Sequence, residues 1–232
     1  MSLSGLAQPV RDDDRPPADA RPLPPILRGW LHLVCFFVSL PAGAFVVATA
    51  TSARGRLGAL VYATGLSALF GVSGAYHRRR WTAVHRARMK RIDHATIFVM
   101  IAGTYTPLCL LTLQGPTGAR MLAAVWVGAA IGVALAATGI AERPVVGLTA
   151  YIGFGWLAVI VLPALARHLS APEVVLLVVG GVVYTAGAIV LGTRRPNPFP
   201  RVFGYHEVWH VMVVVAAACH FLVILSVVAT TG

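Results

Sequence analysis

Seven apolar runs, each close to the length that crosses a lipid bilayer, dominate this chain of 232 residues. A transmembrane helix needs about 20 mostly apolar residues. Because backbone groups in lipid must be satisfied within their own segment, runs of this length predict an all-α bundle of seven transmembrane helices. The predicted spans lie at about 29–52, 57–76, 92–113, 119–140, 144–166, 172–192 and 205–230.

The overall composition agrees with a membrane protein, since 57% of the residues are hydrophobic and only 12% are charged. The formal net charge of +11 is large enough for a nucleic-acid-binding protein. However, the basic residues stand in short turns between the apolar runs, where they face lipid head groups. We therefore expect a multi-pass protein of the cell membrane, with membrane lipids as its partners and no nucleic acid.

The basic residues also predict how the bundle is oriented. Fifteen of the nineteen Lys and Arg residues fall in the N-terminal segment and in the loops after spans two, four and six. The loop 78–91 alone carries seven of them, and the opposite side of the membrane carries four. Because cytoplasmic loops are enriched in Lys and Arg, the N-terminus is predicted to be cytoplasmic and the C-terminus to lie outside.

The first 28 residues differ from the rest of the chain. They contain six prolines and four of the eight acidic residues, and they show no apolar periodicity. A segment of this kind cannot bury enough apolar surface to fold on its own. The sequence therefore predicts a disordered cytoplasmic tail at 1–28 and a seven-transmembrane domain at 29–232.

A small set of polar residues interrupts the apolar spans near the predicted cytoplasmic face. They are Ser73 and His77 at the end of span two, Asp93 at the start of span three, and His206 and His210 at the start of span seven. His206 and His210 are four residues apart, so both lie on one helix face, roughly 5–6 Å apart at Cβ. Two imidazoles in that arrangement can chelate a single metal ion.

Each of these residues alone has a simpler interpretation. A histidine at a helix end, such as His77, usually meets water or lipid head groups, and Asp93 is well suited to cap a helix N-terminus. Their occurrence on three helices at one depth favours a metal site instead.

His32 opens span one at the same depth, either beside this site or, as we expect, at the membrane interface. His220 lies about 15 Å beyond His210, so we expect a hydrogen-bonded interior residue, with a role in a lipid cavity as the alternative.

Three motifs together resemble the hemolysin III family, which belongs to the progestin and adiponectin receptor group of seven-span proteins. The resemblance covers the chain from about Trp30 to the C-terminus, and the motifs stand in the family's order and spacing. The motifs are Ser73-x-x-x-His77, then Asp93-His94-Ala95-Thr96-Ile97 with Gly103-Thr104-Tyr105-Thr106-Pro107, then Tyr205-His206-Glu207-Val208-Trp209-His210.

The start of span one departs from the family pattern. Many relatives carry an acidic residue shortly before the first-span histidine, whereas this chain has Leu27-Arg28-Gly29-Trp30-Leu31-His32.

Glu207 is the acidic residue that adjoins His206 in span seven. Because it points about 100° away from His206 around the helix, we expect it to pair with Arg201 or another basic loop residue.

The resemblance implies an intramembrane zinc site. Its ligands would be His77, His206 and His210, with water in the fourth position, and Asp93 and Ser73 would hold or deprotonate that water. The same motifs group such proteins with alkaline ceramidases, which cleave a lipid amide. The implied function is a zinc-dependent hydrolase of an acyl-lipid amide or ester at the cytoplasmic leaflet. Asp93 would be its general base, and Ser73 would donate a hydrogen bond to the developing oxyanion.

The same residues are compatible with a non-catalytic function. Three imidazoles suit several divalent ions, and a bound zinc ion would fasten spans two, three and seven in a receptor or sensor of membrane-lipid homeostasis. Two other classes have less support. The spans lack the repeated polar stripe of a water-filled channel. A retinal protein needs a lysine inside the bundle, and the only lysine, Lys90, falls in the predicted basic loop.

Overall fold

A computed structural model describes residues 24–113 and 115–232, and within them there are helices and connecting turns but no β-strand. Among these described residues, seven helical segments are long and apolar enough to cross a membrane, which confirms the predicted all-α seven-span bundle. Spans one to four are α1 to α4, span five is divided into α5 and α6, and spans six and seven are α7 and α8. The bounds are Trp30–Thr49, Ala53–Arg78, Ala83–Pro107, Gly115–Ala137, Pro144–Gly155, Ala158–Leu165, Ala171–Thr193 and Tyr205–Thr231 for α1 to α8.

The second, third and seventh spans are the most deeply buried of the seven. Small residues let the backbones of α2 and α3 approach closely in the middle of the bundle, which is typical of helix packing in lipid. A Cβ atom at Gly58 would lie 3.0 Å from the Cα atom of Pro107, and one at Gly65 would lie 3.5 Å from the sulfur of Met100. The three helices that carry the candidate site residues therefore form the centre of the molecule.

The sequence predicted a loop over residues 78–91. That prediction is wrong from Ala83 onward, because α3 begins there. Thr82 caps this helix by accepting the backbone N–H of His85 at 3.4 Å. Threonine is a suitable N-cap, and the Arg and Lys residues that follow are good helix formers, so the basic segment extends α3 beyond the apolar run. Lys90 accordingly lies in a helix and binds Glu142 at 2.6 Å.

Span five is broken in its middle, between Gly155 and Ala158. A break inside the membrane frees backbone groups that lipid cannot satisfy, so neighbouring side chains must replace the lost hydrogen bonds. The hydroxyl of Tyr105 in α3 donates to the Gly155 carbonyl at 2.7 Å. On the other side, the indole N–H of Trp156 donates to the Thr185 hydroxyl of α7 at 2.8 Å. Span five is therefore anchored to two other spans at its break.

The end of the predicted tail contacts the loop before α8. The backbone N–H groups of Ile26 and Leu27 donate to the carbonyls of Arg201 and Val202 at 3.0 and 3.1 Å. Residues 1–23, the rest of the predicted tail, lie outside the described residues. The orientation of the termini relative to the membrane stays a prediction.

Candidate metal centre

Three histidines from two helices converge at one end of the bundle. His77 lies in the last turn of α2, and His206 and His210 lie in the first two turns of α8. The Nε2 atoms of His77 and His206 are 3.3 Å apart, and one ring nitrogen from each of the three residues lies within 4.8 Å of the others. The structure thus brings together the three residues that the resemblance implied as ligands.

The local sequence explains why α8 starts where it does. Gly204 precedes the first helical residue, and its backbone N–H donates to the Glu207 carboxylate at 2.8 Å. This contact satisfies one of the N–H groups that a helix start leaves without a partner. The helix therefore begins at Tyr205 and presents His206 and His210 on the face turned toward α2.

The donor set fits a metal ion such as zinc. Zinc–nitrogen bonds of about 2.0–2.1 Å in a tetrahedral arrangement place two ligand nitrogens about 3.3 Å apart, which is the separation found between His77 and His206. The three rings are inclined to one another by 60° to 73°, with centroids 4.7 to 5.2 Å apart. One ring nitrogen from each residue lies within 4.8 Å of the others, and three imidazoles would leave one of the four usual zinc positions open.

Ser73 and Asp93 lie beside the three histidines. Ser73 is buried one turn before His77 on α2, and it lines the same cavity as Asp93 of α3. Asp93 lies well inside α3, more than two turns after Thr82, so it does not cap the helix. The interpretation of Asp93 as an N-cap is therefore wrong.

His32 lies within the cluster rather than at the membrane interface, so the expected interfacial position is wrong. Its side chain is only 3% exposed. The ring stacks on His210 with centroids 3.8 Å apart and an angle of 10° between the planes. Its Nδ1 atom is 2.9 Å from the Ser73 Oγ atom. The depth of His32 at the start of span one pointed to the site, but the sequence does not show which face of α1 packs against α2 and α8.

An ion pair adjoins the cluster. Glu207 pairs with Arg28, and the two side chains are 3% and 19% exposed. The sequence led us to expect that Glu207 pairs with Arg201 or another basic loop residue. Arg201 is exposed, and the partner of Glu207 is Arg28 instead. Arg28 stands in the stretch Leu27 to His32, where the resemblance led us to expect an acidic residue, and it pairs with the acid of span seven instead.

A cavity of about 390 Å³ begins at the cluster and continues into the bundle. Along α3 it is lined at one-turn intervals from Asp93 to Tyr105, and span five forms another wall. At the far end is His220, whose Nε2 atom is 3.3 Å from the Leu177 carbonyl. His220 is thus the hydrogen-bonded interior residue that the sequence predicted, and it also faces the cavity. The walls between the two ends are mostly apolar.

A bundle of seven membrane-spanning helices with a histidine cluster at one end defines an integral membrane protein with a candidate metal centre inside its helical domain. The family model for Haemolysin-III related proteins matches residues 22–221, so the chain belongs to that family, as the motifs predicted.

The relatives include bacterial and animal proteins. The chain is 28% identical over 208 residues to Hemolysin-3 of Bacillus cereus, an alignment that covers 87% of this chain and 90% of that protein. It is 30% identical over 201 residues to the Hemolysin-3 homolog of Bacillus subtilis (strain 168), with 84% and 89% covered. It is also 28% identical over 173 residues to the Monocyte to macrophage differentiation factor of Homo sapiens, with 73% and 69% covered.

Proposed function

We propose that this protein is a zinc-dependent hydrolase that cleaves the acyl amide or ester bond of a membrane lipid. The observation that carries the proposal is the convergence of His77, His206 and His210 next to a buried serine and a carboxylate, at the mouth of an apolar cavity. Polar groups are costly inside a membrane, and when they gather there they usually serve a function.

The three histidines would hold the metal. Zinc with three histidine ligands supplies Lewis acidity toward a carbonyl oxygen and toward water. His77 comes from α2, whereas His206 and His210 come from α8, so the cluster joins two of the most buried spans. His210 is buried, whereas His77 and His206 are partly exposed.

Asp93 is the group placed to move a proton. In the proposed reaction it accepts a proton from the attacking water and then delivers it to the leaving amine or alkoxide, which balances the hydrolysis. Ser73 has a single hydroxyl proton to donate; its Oγ atom is 2.9 Å from Nδ1 of His32, and it shares the cavity wall with Asp93. We therefore assign Ser73 to orienting the Asp93 carboxylate, rather than to the oxyanion contact expected from the motif.

The cavity supports an amphiphilic substrate. His220 lies ten residues beyond His210 on α8, which corresponds to about 15 Å along the helix axis. An acyl chain of roughly a dozen carbons spans that distance when extended. A lipid with its carbonyl at the cluster would thus bury its chain against apolar walls, where burial is worth about 25 cal/mol per Å². The predicted orientation assigns the reaction to the cytoplasmic leaflet.

A non-catalytic function is the second candidate. Because His77 and His206 are separated by 129 residues in the chain, a metal bound between them would crosslink the beginning and the end of the bundle. A receptor or sensor of membrane lipids stabilised in this way would need the same histidines and the same cavity, but it would not need a proton acceptor at Asp93.

Assays on purified, zinc-loaded protein distinguish the hydrolase from the non-catalytic receptor or sensor. We expect about one zinc per chain, loss of bound zinc in His77→Ala and His206→Ala, and release of fatty acid from a ceramide or from an ester lipid in vesicles. Asp93→Asn should retain zinc and thermal stability but lose at least 100-fold in rate, the lower range for a lost general base.

Glu173→Gln provides the matched control, since it removes a carboxylate at the N-terminus of α7, outside the cavity. It should hydrolyse lipid at the wild-type rate. If the zinc-loaded wild type releases no fatty acid from either class of lipid, the hydrolase proposal is wrong and the sensor takes its place. Retention of zinc in either histidine variant would disprove the metal centre itself.

A further inference from the structure

Residues 28–32, which lead into the first turn of α1, contact both helices that carry the histidine cluster. Arg28 pairs with Glu207, which follows His206 in α8. Gly29 lies directly on His77, and His32 stacks on His210. None of these three residues is a member of the ligand group. Their positions nevertheless suggest that span one sets the geometry of the ligands that spans two and seven provide.

Gly29 allows the close approach to α2. Its φ angle of 79° is in the left-handed region, which side chains rarely adopt. A Cβ atom at this position would lie 2.5 Å from the Cβ atom of His77 and 3.3 Å from the Cγ atom of Arg78. Only glycine therefore fits here, and the backbone of span one forms a fixed surface behind the His77 side chain.

His32 acts on two residues of the site at once. Its ring is almost parallel to that of His210, and at a centroid distance of 3.8 Å the two rings are in van der Waals contact. The contact restricts the plane of the His210 ring and so the direction of its nitrogens. Through Nδ1, His32 also bonds the hydroxyl of Ser73 at 2.9 Å, next to Asp93. Phe70 packs edge-on against the same ring, with centroids 5.2 Å apart.

The geometry argues against His32 as a ligand. A stacked ring presents its face, not a nitrogen lone pair, to His210. One nitrogen of His32 is engaged by Ser73, and His32 does not belong to the group of three histidines whose ring nitrogens lie within 4.8 Å of one another. The residue influences the metal centre only through the side chains it contacts.

We propose that His32 is a positioning residue of the metal centre, which holds the His210 imidazole in its coordinating orientation by stacking and fixes the Ser73 hydroxyl by a hydrogen bond. Arg28 and Gly29 keep it in place against α8 and α2. This inference rests on the proposed metal centre but not on hydrolysis. Residues that orient metal ligands from outside typically contribute 10–100-fold to metal affinity.

Two substitutions separate the two contacts of His32. His32→Phe retains a flat ring that can stack on His210 but cannot bond Ser73. His32→Asn retains a hydrogen-bonding side chain but has no ring to stack. The zinc Kd, measured by competition with a chromophoric chelator, and the visible absorption bands of the cobalt-substituted protein report on the ligands without any substrate.

We expect His32→Asn to weaken zinc binding by about 10–100-fold and to change the cobalt spectrum. His32→Phe should stay within about threefold of the wild-type Kd, well short of that range, and should show the wild-type spectrum, while any hydrolysis falls in kcat rather than in KM. His168→Ala, which removes an exposed histidine in the turn before α7, is the control and should match the wild type in every measurement.

The outcomes distinguish this inference from the proposed function. Wild-type zinc affinity together with a wild-type cobalt spectrum in His32→Asn would show that the stack does not position His210, and the inference would be overturned. If His32→Asn loses affinity as expected but the zinc-loaded wild type cleaves no lipid, the positioning role stands and the hydrolase proposal fails.

Discussion

Individual side chains at the cluster are coupled by charge as well as by ring contacts. Glu207 is 3% exposed and has two partners, the backbone N–H of Gly204 and the guanidinium of Arg28. A buried carboxylate that loses its cation is left with a large desolvation cost, because few water molecules can reach it. The ion pair therefore helps to hold Glu207 where it caps the start of α8, next to His206.

At this scale we predict that Arg28→Met destabilises the protein by about 3 kcal/mol, the lower end for breaking a buried ion pair, since Arg28 is partly exposed. Thermal unfolding in detergent measures the change. Arg201→Met is the matched control, because it removes an exposed arginine of the adjoining loop and should alter stability by less than about 0.5 kcal/mol. Equal effects of the two variants would contradict the pairing.

At the scale of helices, the break in span five is the feature with the clearest test. Tyr105 bonds the Gly155 carbonyl that the break leaves free, and the Trp156 indole bonds the Thr185 hydroxyl of α7. Span five is the least buried of the seven spans, so these two hydrogen bonds should add measurably to the packing that holds it against the rest of the bundle.

Tyr105→Phe should therefore destabilise span five by about 0.6–1.7 kcal/mol, the range for hydrogen bonds between membrane helices. Hydrogen exchange of α5 and α6 should increase more than that of α2. Tyr151→Phe is the matched control on α5, because the buried Tyr151 hydroxyl has no hydrogen-bond partner among the described residues. Its removal should be neutral or slightly stabilising, and a loss equal to that of Tyr105→Phe would refute the anchoring role.

The turn between α4 and α5 is tied to α3 by a charged contact that should depend on pH. The hydrogen bond from Lys90 lowers the pKa of Glu142 below its ordinary value of 4.5. A lowered carboxyl pKa stabilises the folded state above the ordinary value, and the stabilisation is lost as the pH falls through the lowered pKa.

We predict that Glu142→Gln destabilises the protein at pH 7 by at most about 1 kcal/mol, because the pair is partly exposed to solvent. The difference from the wild type should shrink as the pH is lowered below 4.5, the ordinary glutamate value, and should also decrease in high salt. Melting temperatures of the two proteins across that pH range check this. A difference that grows toward acid pH has the wrong sign for this pair.

For the whole molecule, the membrane orientation decides which leaflet the candidate site serves. The basic residues predict a cytoplasmic N-terminus and an outer C-terminus, which puts the histidine cluster at the cytoplasmic end. Alkaline phosphatase fused after Gly232 should be active, because that enzyme folds only outside the reducing cytoplasm. The same reporter fused in the turn between Thr138 and Arg143 should be inactive. The reverse pattern would move the site to the outer leaflet.

Much of the whole architecture was predictable because it depends on local properties of the chain. Each span is a continuous apolar run, and the pair His206 and His210 is set by the period of one helix. The family motifs added His77 from a distant span. The positions that could not be predicted depend on packing between helices. The stack of His32 on His210 needs the rotation of α1, and the break in span five is stabilised by Tyr105 and Thr185 from other helices.

The left-handed turn at Gly29 has a consequence for how inactive variants would be interpreted. A side chain introduced there meets His77 before it meets anything else in the bundle. In a random mutagenesis screen, position 29 would therefore give the same phenotype as a ligand position, although glycine has no ligand atom. A scan that scores only function would therefore misclassify Gly29 as a metal ligand. Metal titration of such a variant would report weakened binding by a His77 side chain that is displaced but still present.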